Sequence, residues 1–392
     1  MVDFASTSMA IVSLVIFLSF LGAILSERLK ASYPTVMIAI GFTLSFLRIG
    51  GELNSVSFDS NLILGFIVPP LIFEAAMRTR LETFRTVEKT VLSLAIFGVV
   101  ISALVCGAVL QIALGLPVAA ALMFGVIISP TDPVSVVSIL KRMKAPERLT
   151  TILESEAYLN DVTAIVLYPV APSLSFSPVQ SVTLFAYSFG GGILTGLLVS
   201  GVAELLYRQI TEPMAETTFT IVVMFGSYLF AESLQVSGLA SVAIAGLYIG
   251  NRTMRTAMSE ETRTTMTKFW EVVTFMATSF AFLLIGLKAD FTLLIAYAPF
   301  ILAAFLAILV ARVVSVYPII GLTNMMRERI PHSWTRLLAI AGLRGAVSVA
   351  LALSLPESNF KDTIVAMTFG VALLSLMVQA EILQVSAKSM KL

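Results

Sequence analysis

The sequence predicts an all-α polytopic membrane protein with thirteen transmembrane helices. Hydrophobic residues make up 58% of the 392 residues and charged residues only 12%, about half the charged share of a soluble globular domain. Apolar runs near the bilayer-spanning length of about twenty residues recur from Met9 almost to the C-terminus. We therefore expect residues 1–392 to form one integral membrane domain, with no soluble domain.

The predicted spans follow these apolar runs, and no connection between them is long enough for a further domain. Asp3 rather than a basic residue precedes the first run, and Glu27 and Arg28 follow it, which is untypical of a cleaved signal peptide. That run is therefore predicted to remain as the first helix. In chain order the spans are roughly 8–26, 33–49, 60–77, 89–113, 117–140, 149–171, 182–207, 216–233, 236–250, 265–287, 291–322, 334–355 and 362–387.

The distribution of basic residues predicts the orientation in the membrane. With the N-terminus outside, 20 of the 25 Lys and Arg residues lie in inner loops or at the inner end. The outer loops then hold only Arg48, Lys288 and Lys361, while Arg312 and Arg344 fall within spans. Because cytoplasmic loops are enriched in basic residues, the C-terminus is predicted to be cytoplasmic. One span more or fewer would remove this asymmetry.

The charge and cysteine content exclude several classes of protein. The net charge is only +1 and the charges are scattered, so no nucleic-acid partner is expected. The single cysteine, Cys106, cannot form an internal disulfide. We expect no cofactor.

Ionisable residues within the predicted spans are the first candidates for function, because a charge at the bilayer centre costs about 2.5–3.5 kcal/mol on insertion scales. Six stand out: Glu74, Asp132, Glu156, Asp161, Arg312 and Arg344. Four acids against two bases leave carboxylates without a protein counter-charge. Such groups must be protonated or hold a cation to stay buried.

The fifth span contains the segment Ser129-Pro130-Thr131-Asp132-Pro133. Two prolines remove backbone donors and interrupt helical hydrogen bonding, which leaves free carbonyls at membrane depth. Broken helices of this kind bind ions in many transporters. The alternative is an ordinary proline kink, but Asp132 within the break favours a functional role.

The sixth span carries Glu156, Asn160 and Asp161 within six residues. Glu156 and Asn160 share one helix face at i,i+4, with Asp161 about 100° further round. A structural hydrogen-bond cluster is the alternative reading of this group. Glu74 could be an interfacial side chain that reaches towards water, and we interpret Arg312 as half of a structural ion pair.

These motifs resemble those of NhaP-type sodium/proton antiporters, prokaryotic relatives of the eukaryotic sodium/proton exchangers. The resemblance runs along the whole chain and rests on Pro-Leu-Ile-Phe-Glu at 70–74, Ser-Pro-Thr-Asp-Pro at 129–133, the Glu156/Asn160/Asp161 group, and Gly-Leu-Arg-Gly-Ala-Val-Ser at 342–348. It implies an NhaA-like antiporter fold with two inverted repeats, crossed and broken fifth and twelfth helices, and a core subdomain that moves against a dimerisation subdomain. A homodimer in the cell membrane of a prokaryote is expected.

The resemblance also implies roles for individual residues. Asp161 would be the principal carboxylate for cation and proton, Asp132 a water-linked second acid, Thr131 a backbone carbonyl ligand and Glu74 a further ligand of Na⁺. The family usually has Ser where this chain has Ala157, so one ligand oxygen is missing unless Ser155 or water replaces it.

The resemblance also assigns Asn160 to the cation- and proton-binding group, whereas Glu156, Arg312 and Arg344 would be structural. Asn160 would hold the break in the fifth helix, Glu156 would pair with Arg312, and Arg344 would neutralise helix-dipole ends at the break in the twelfth helix. The family's larger members carry a cytoplasmic regulatory tail. Since this chain stops at Leu392, no such tail is expected.

The function implied is exchange of Na⁺, or Li⁺, for H⁺ by alternating access. One-for-one, electroneutral exchange is expected because Asn160 stands where electrogenic relatives have a second aspartate. A potassium/proton antiporter is the alternative in the same class. An intramembrane aspartyl protease could use Asp132 and Asp161 as a dyad, but no Gly-x-Gly-Asp segment is present. An ion channel would need rings of ligands from repeated subunits.

Overall fold

The computed structural model describes residues 2–29, 31–47, 63–175, 177–289 and 291–389. Arg48, the end of the predicted span 33–49 and the start of the span 60–77 lie outside these residues. Every regular element in the described ranges is helical, which agrees with the predicted all-α class.

The helices follow one another with short connections, and several are joined end to end. Single π-helical turns lead into α3 and join α5 to α6, α12 to α13 and α19 to α20. The helices are α1 (Val2–Leu29), α2 (Tyr33–Phe46), α3 (Val68–Arg78), α4 (Leu81–Arg85), α5 (Glu88–Ser93), α6 (Val99–Leu114), α7 (Val118–Ile127), α8 (Pro133–Arg142), α9 (Glu147–Leu167), α10 (Pro178–Tyr207), α11 (Pro213–Ser233), α12 (Gly238–Tyr248), α13 (Met254–Thr256), α14 (Glu260–Lys288), α15 (Phe291–Ala296), α16 (Ala298–Met325), α17 (His332–Ile340), α18 (Ala346–Leu353), α19 (Lys361–Leu374) and α20 (Ala380–Ser389).

Several of these helices are suited to lipid. Within the described residues, six helical stretches are long and apolar enough to cross a bilayer: Glu88–Leu114, Val179–Tyr207, Pro213–Ser233, Glu260–Lys288, Ala298–Met325 and Lys361–Lys388. Two shorter helices, α2 and α7, are also apolar. The chain is thus an all-helical membrane protein with several long apolar helices.

Two of the predicted spans are interrupted in the middle. Residues 128–132 separate α7 from α8, and Pro133 begins α8, where a proline is tolerated because the first helical N–H needs no partner. Residues 341–345 separate α17 from α18 in the same way. Both interruptions are buried, so their backbone polar groups need partners within the protein.

Helices α2 and α14 cross in direct backbone contact at Gly41 and Gly286. A Cβ atom at Gly41 would overlap the carbonyl oxygen of Leu283, and one at Gly286 would overlap that of Ile38. Glycine is therefore required at both positions for the backbones to approach this closely. This crossing fixes one side of the cavity described below.

Candidate functional site

The two interrupted helices meet at their breaks. The amide of Asp132 donates to the carbonyl of Leu343 at 2.7 Å, which joins one break to the other through the backbone. A Cβ atom at Gly345 would lie 2.8 Å from the Cβ of Asp132, so the second break can pass this close only with glycine there. Asp132 itself accepts from the Ser135 amide at 2.9 Å and thereby caps the first turn of α8.

Arg344 supplies the positive charge at this crossing. Its Nη1 atom donates to the carbonyls of Ser129 at 2.6 Å and Pro130 at 2.9 Å. These carbonyls lie just beyond the C-terminal end of α7, where the helix dipole is negative and the carbonyls lack helical donors. Arg344 is fully buried, so its charge acts on these carbonyls without screening by water.

Asn160 holds the first break against α9. Its Oδ1 atom accepts from the Thr131 amide at 3.1 Å, and its Nδ2 atom donates to the Thr131 hydroxyl at 2.7 Å. These two bonds use the amide and the hydroxyl of Thr131 and leave its carbonyl for another partner. A ligand oxygen for a cation is therefore available at this position.

Both aspartates are buried, Asp132 in the first break and Asp161 in α9. Asp161 is 6% exposed and Asp132 is 7% exposed, and both line a cavity of about 390 Å³. The Oδ1 atom of Asp161 is buried without a hydrogen-bond partner. Among the described residues no hydrogen bond joins the two carboxyl groups, unlike the proton-sharing dyad of an aspartyl protease. A buried carboxyl group that lines a cavity and has an unpaired oxygen can accept a proton or a cation.

Glu156 and Arg312 form a buried ion pair away from the cavity lining. The Nη1 atom of Arg312 lies 2.5 Å from Oε1 of Glu156, and Nη2 lies 3.3 Å from Oε2. Nη2 also donates to the Leu338 carbonyl at 2.7 Å. This two-pronged pair connects α9, α16 and α17, and it fixes α9 relative to the second broken helix.

Glu74 lines the same cavity but has a protein partner. Its Oε1 atom accepts from Nη1 of Arg78 at 2.9 Å. In the part of the chain that the structure describes, no three His, Cys, Asp or Glu side chains are placed to hold one metal ion together. Glu74 is thus near the aspartates along the cavity and is not gathered into one carboxylate cluster with them.

Sequence reasoning missed several polar residues of this region. Glu154 and Glu271 line the cavity; Glu271 lies in the predicted span 265–287 and carried the same signal as the six ionisable residues that were singled out. Glu154 follows the i,i+4,i+7 spacing with Tyr158 and Asp161, which could have shown that it shares their face. Ser155 and Ala157 are both buried, and neither is among the cavity-lining residues.

Residues between α19 and α20 hydrogen-bond to the backbone of the second break. The amide of Arg344 donates to the Ser375 hydroxyl at 3.0 Å. Gln379 donates to the carbonyls of Ile340 at 2.7 Å and Gly342 at 3.2 Å. Both partners lie in the π-helical turn between α19 and α20, a local widening that is frequent at functional sites.

Comparisons with known proteins agree on one family. The transmembrane sodium/hydrogen exchanger family matches residues 15–388 of this chain. The Na⁺/H⁺ antiporter ApNhaP of Aphanothece halophytica is 33% identical over 360 residues, which cover 90% of this chain and 68% of the relative. The Na⁺/H⁺ antiporter NhaH of Halobacillus aidingensis is 31% identical over 372 residues, which cover 91% of each.

A solved structure has the same fold. The sodium proton antiporter MjNhaP1 from Methanocaldococcus jannaschii, solved at pH 8, matches with a TM-score of 0.82 at 21% identity, and the match covers 99% of each chain. At this identity the likeness establishes the fold alone.

Proposed function

Because the chain belongs to the transmembrane sodium/hydrogen exchanger family and is a sodium/proton antiporter, we propose that it exchanges one cation for one proton at Asp161 by alternating access. It is a transporter and not an enzyme. The observation that carries the proposal is Asp161, which lines the cavity and whose buried Oδ1 atom has no hydrogen-bond partner. A carboxylate in this position is stable only when a proton or a cation neutralises it.

The cation ligands are proposed as Asp161, Asp132, the carbonyl of Thr131 and, as a further ligand, Glu74. Their shared cavity supports this set, as does the pair of Asn160 bonds that leaves the Thr131 carbonyl free for a ligand. Carboxylate and carbonyl oxygens are the ligands that hard cations prefer. Sodium is the proposed cation, and lithium is the other candidate.

Competition at one carboxyl group couples the two ions. Asp161 holds either a proton or a cation. The helices that carry the site move it from one side of the membrane to the other only when the charge of the Asp161 carboxylate is neutralised. An unneutralised carboxylate would have to cross at a cost of several kcal/mol. Because Asn160 carries no charge, one proton is released for each monovalent cation bound, and the cycle is electroneutral.

The wider architecture proposed is that of a thirteen-helix antiporter with interleaved core and dimerisation subdomains over residues 1–392. Two broken helices that touch at their breaks support this proposal, because crossed breaks of this kind mark the binding site in inverted-repeat transporters. We place the protein in the cell membrane of a prokaryote as a homodimer, with the N-terminus outside and the C-terminus in the cytoplasm.

The test is proton flux in proteoliposomes that contain the purified protein. External Na⁺, Li⁺, K⁺ or no cation is supplied, and the internal pH is followed with an entrapped dye. Sodium-driven proton flux that saturates with concentration is expected, with little or no flux without a cation. Flux driven by K⁺ alone would replace the sodium assignment by the potassium one, and flux that is independent of any cation would refute the proposal.

A further inference from the structure

Arg78 occupies a position in the cavity that the exchange mechanism above does not use. Its Nη1 atom binds two carboxylates at once, Oε1 of Glu74 at 2.9 Å and Oε1 of Glu271 at 3.1 Å. Arg78 and Glu74 stand one helical turn apart on α3, while Glu271 belongs to α14. The two N–H groups of a single nitrogen are thus shared between a proposed cation ligand and a second acid.

Arg78 carries a positive charge in a cavity that is lined mainly by acidic side chains. Five carboxylates line the cavity, from Glu74, Asp132, Glu154, Asp161 and Glu271. Among the described residues, a single basic side chain lines it with them, that of Arg78. Such an excess of negative charge between low-dielectric walls attracts cations from solution. The arginine is itself a cation, and it is already placed on one of the acids.

The side chains of this group are accessible enough to exchange partners. The side chain of Glu74 is 14% exposed, that of Arg78 33% and that of Glu271 49%. A guanidinium that is partly solvated can leave one carboxylate and keep the other at modest cost, since partly exposed ion pairs contribute little net free energy. Arg78 can therefore release Glu74 and remain bound to Glu271.

From this geometry we infer that Arg78 is a tethered competitor of the transported cation, holding Glu74 until an incoming cation displaces it onto Glu271. The inference rests on the proposed function, in which Glu74 is a cation ligand. Arg78 then sets the apparent cation affinity: its positive charge must leave Glu74 each time a cation binds there. Glu271 is a positioning residue that offers the displaced guanidinium an alternative partner.

The test compares the KM for Na⁺ and the maximal rate of sodium-driven proton flux in proteoliposomes. Arg78→Gln is expected to lower the KM about twofold to fivefold, because displacement of a partly exposed pair costs up to about a factor of five in binding. Arg78→Lys keeps the charge and is expected to stay near the wild-type KM. Glu271→Gln is expected to raise the KM about twofold to fivefold, since it removes the alternative partner of Arg78.

A matched control is Arg80→Gln. Arg80 is two residues further along the chain, is 60% exposed, and pairs with Glu147 at 3.2 Å outside the cavity lining. The KM of the Arg80→Gln variant for Na⁺ is expected to be unchanged. A merely structural role for Arg78 would lower the maximal rate or the melting temperature and would not shift the KM in opposite directions in the two variants.

The outcomes separate this inference from the proposed function. An unchanged or higher KM in Arg78→Gln, with normal wild-type flux, overturns the inference alone. Absence of sodium-driven flux in the wild-type protein overturns the proposed function first. If Arg78→Gln does not fold, Glu271→Gln decides: a raised KM supports competition by Arg78, and an unchanged or lower one refutes it.

Discussion

The guanidinium of Arg344 reaches from one helix break to the other and donates to the carbonyl of Pro130 at 2.9 Å. The same Nη1 atom serves Ser129 at 2.6 Å. No carboxylate takes part in these bonds, so the arginine acts on backbone dipoles. It compensates carbonyls that the missing proline N–H and the end of α7 leave without helical donors.

Replacement of Arg344 by leucine is expected to lower the free energy of unfolding by about 2–3 kcal/mol. Two buried carbonyls lose their donor at about 1–3 kcal/mol each, and relief from burying the guanidinium charge offsets part of that loss. Thermal unfolding of the detergent-solubilised protein measures the effect. Arg336→Leu is the control, because Arg336 is exposed on α17. Equal stability of both variants would show that the carbonyls find other donors.

Asp161→Asn is expected to abolish exchange while the protein remains folded. The amide has nearly the shape of the carboxyl group but can exchange neither a proton nor a cation. Sodium-driven proton flux and thermal unfolding are measured on the same preparation. Asp362→Asn, at an exposed position in the first turn of α19, is the matched control and should transport normally. Cation-dependent flux in the Asp161 variant would contradict the assignment.

Arg312→Ala is expected to destabilise the protein by about 3–5 kcal/mol, because it leaves Glu156 as an unpaired buried charge. The side chains of the pair are 5% and 2% exposed, so water cannot replace the lost partner. Replacement of both members, Arg312→Met with Glu156→Leu, should recover much of the stability. If the double variant unfolds as early as the single one, packing between α9, α16 and α17 would outweigh the charge.

Transport is expected to be independent of the membrane potential. One neutralised carboxyl group per cycle moves no net charge, whereas an electrogenic cycle would couple at about 2.3 kcal/mol per charge per 100 mV. The measurement imposes a potassium/valinomycin diffusion potential on proteoliposomes during sodium-driven proton flux. A clear change of rate with potential would mean that Asp132 or Glu74 releases a second proton on cation binding.

Asn160→Asp offers a direct probe of the same stoichiometry. Thr131 presents its amide and its hydroxyl to Asn160, and both can donate to an aspartate, so the break is expected to keep its geometry. A second buried carboxyl group should then add a proton to the cycle and make transport depend on the potential. Retained electroneutral exchange in this variant would place the coupling elsewhere.

Local sequence features account for much of the fold and of the site. The prolines at 130 and 133 predict the first break without knowledge of the neighbouring helices, because they remove donors wherever the segment lies. Asp132 and Asp161 stand out for a similar reason: a charged residue in an apolar run is costly in any membrane fold.

Contacts between segments that are distant in the sequence could not be predicted from these local features. The bond from the Asp132 amide to the Leu343 carbonyl depends on how two helices cross, and nothing near either residue specifies it. Gln379 is uncharged and therefore gives no such signal in the sequence, yet its side chain donates to two carbonyls of the second break. Glu74 has Arg78 at i+4, a spacing at which ion pairs are common, but its role depends also on Glu271 across the cavity.

Because α2 and α14 are in backbone contact at Gly41 and Gly286, they form one rigid wall of the cavity. Tyr33 from α2 and Phe275 from α14 both face the cavity, with ring centroids 4.9 Å apart. Since the two backbones are already in contact, even one methyl group at either glycine would force the helices apart. Any widening of the passage during the cycle is therefore expected to leave α2 and α14 packed together and to move them as one unit.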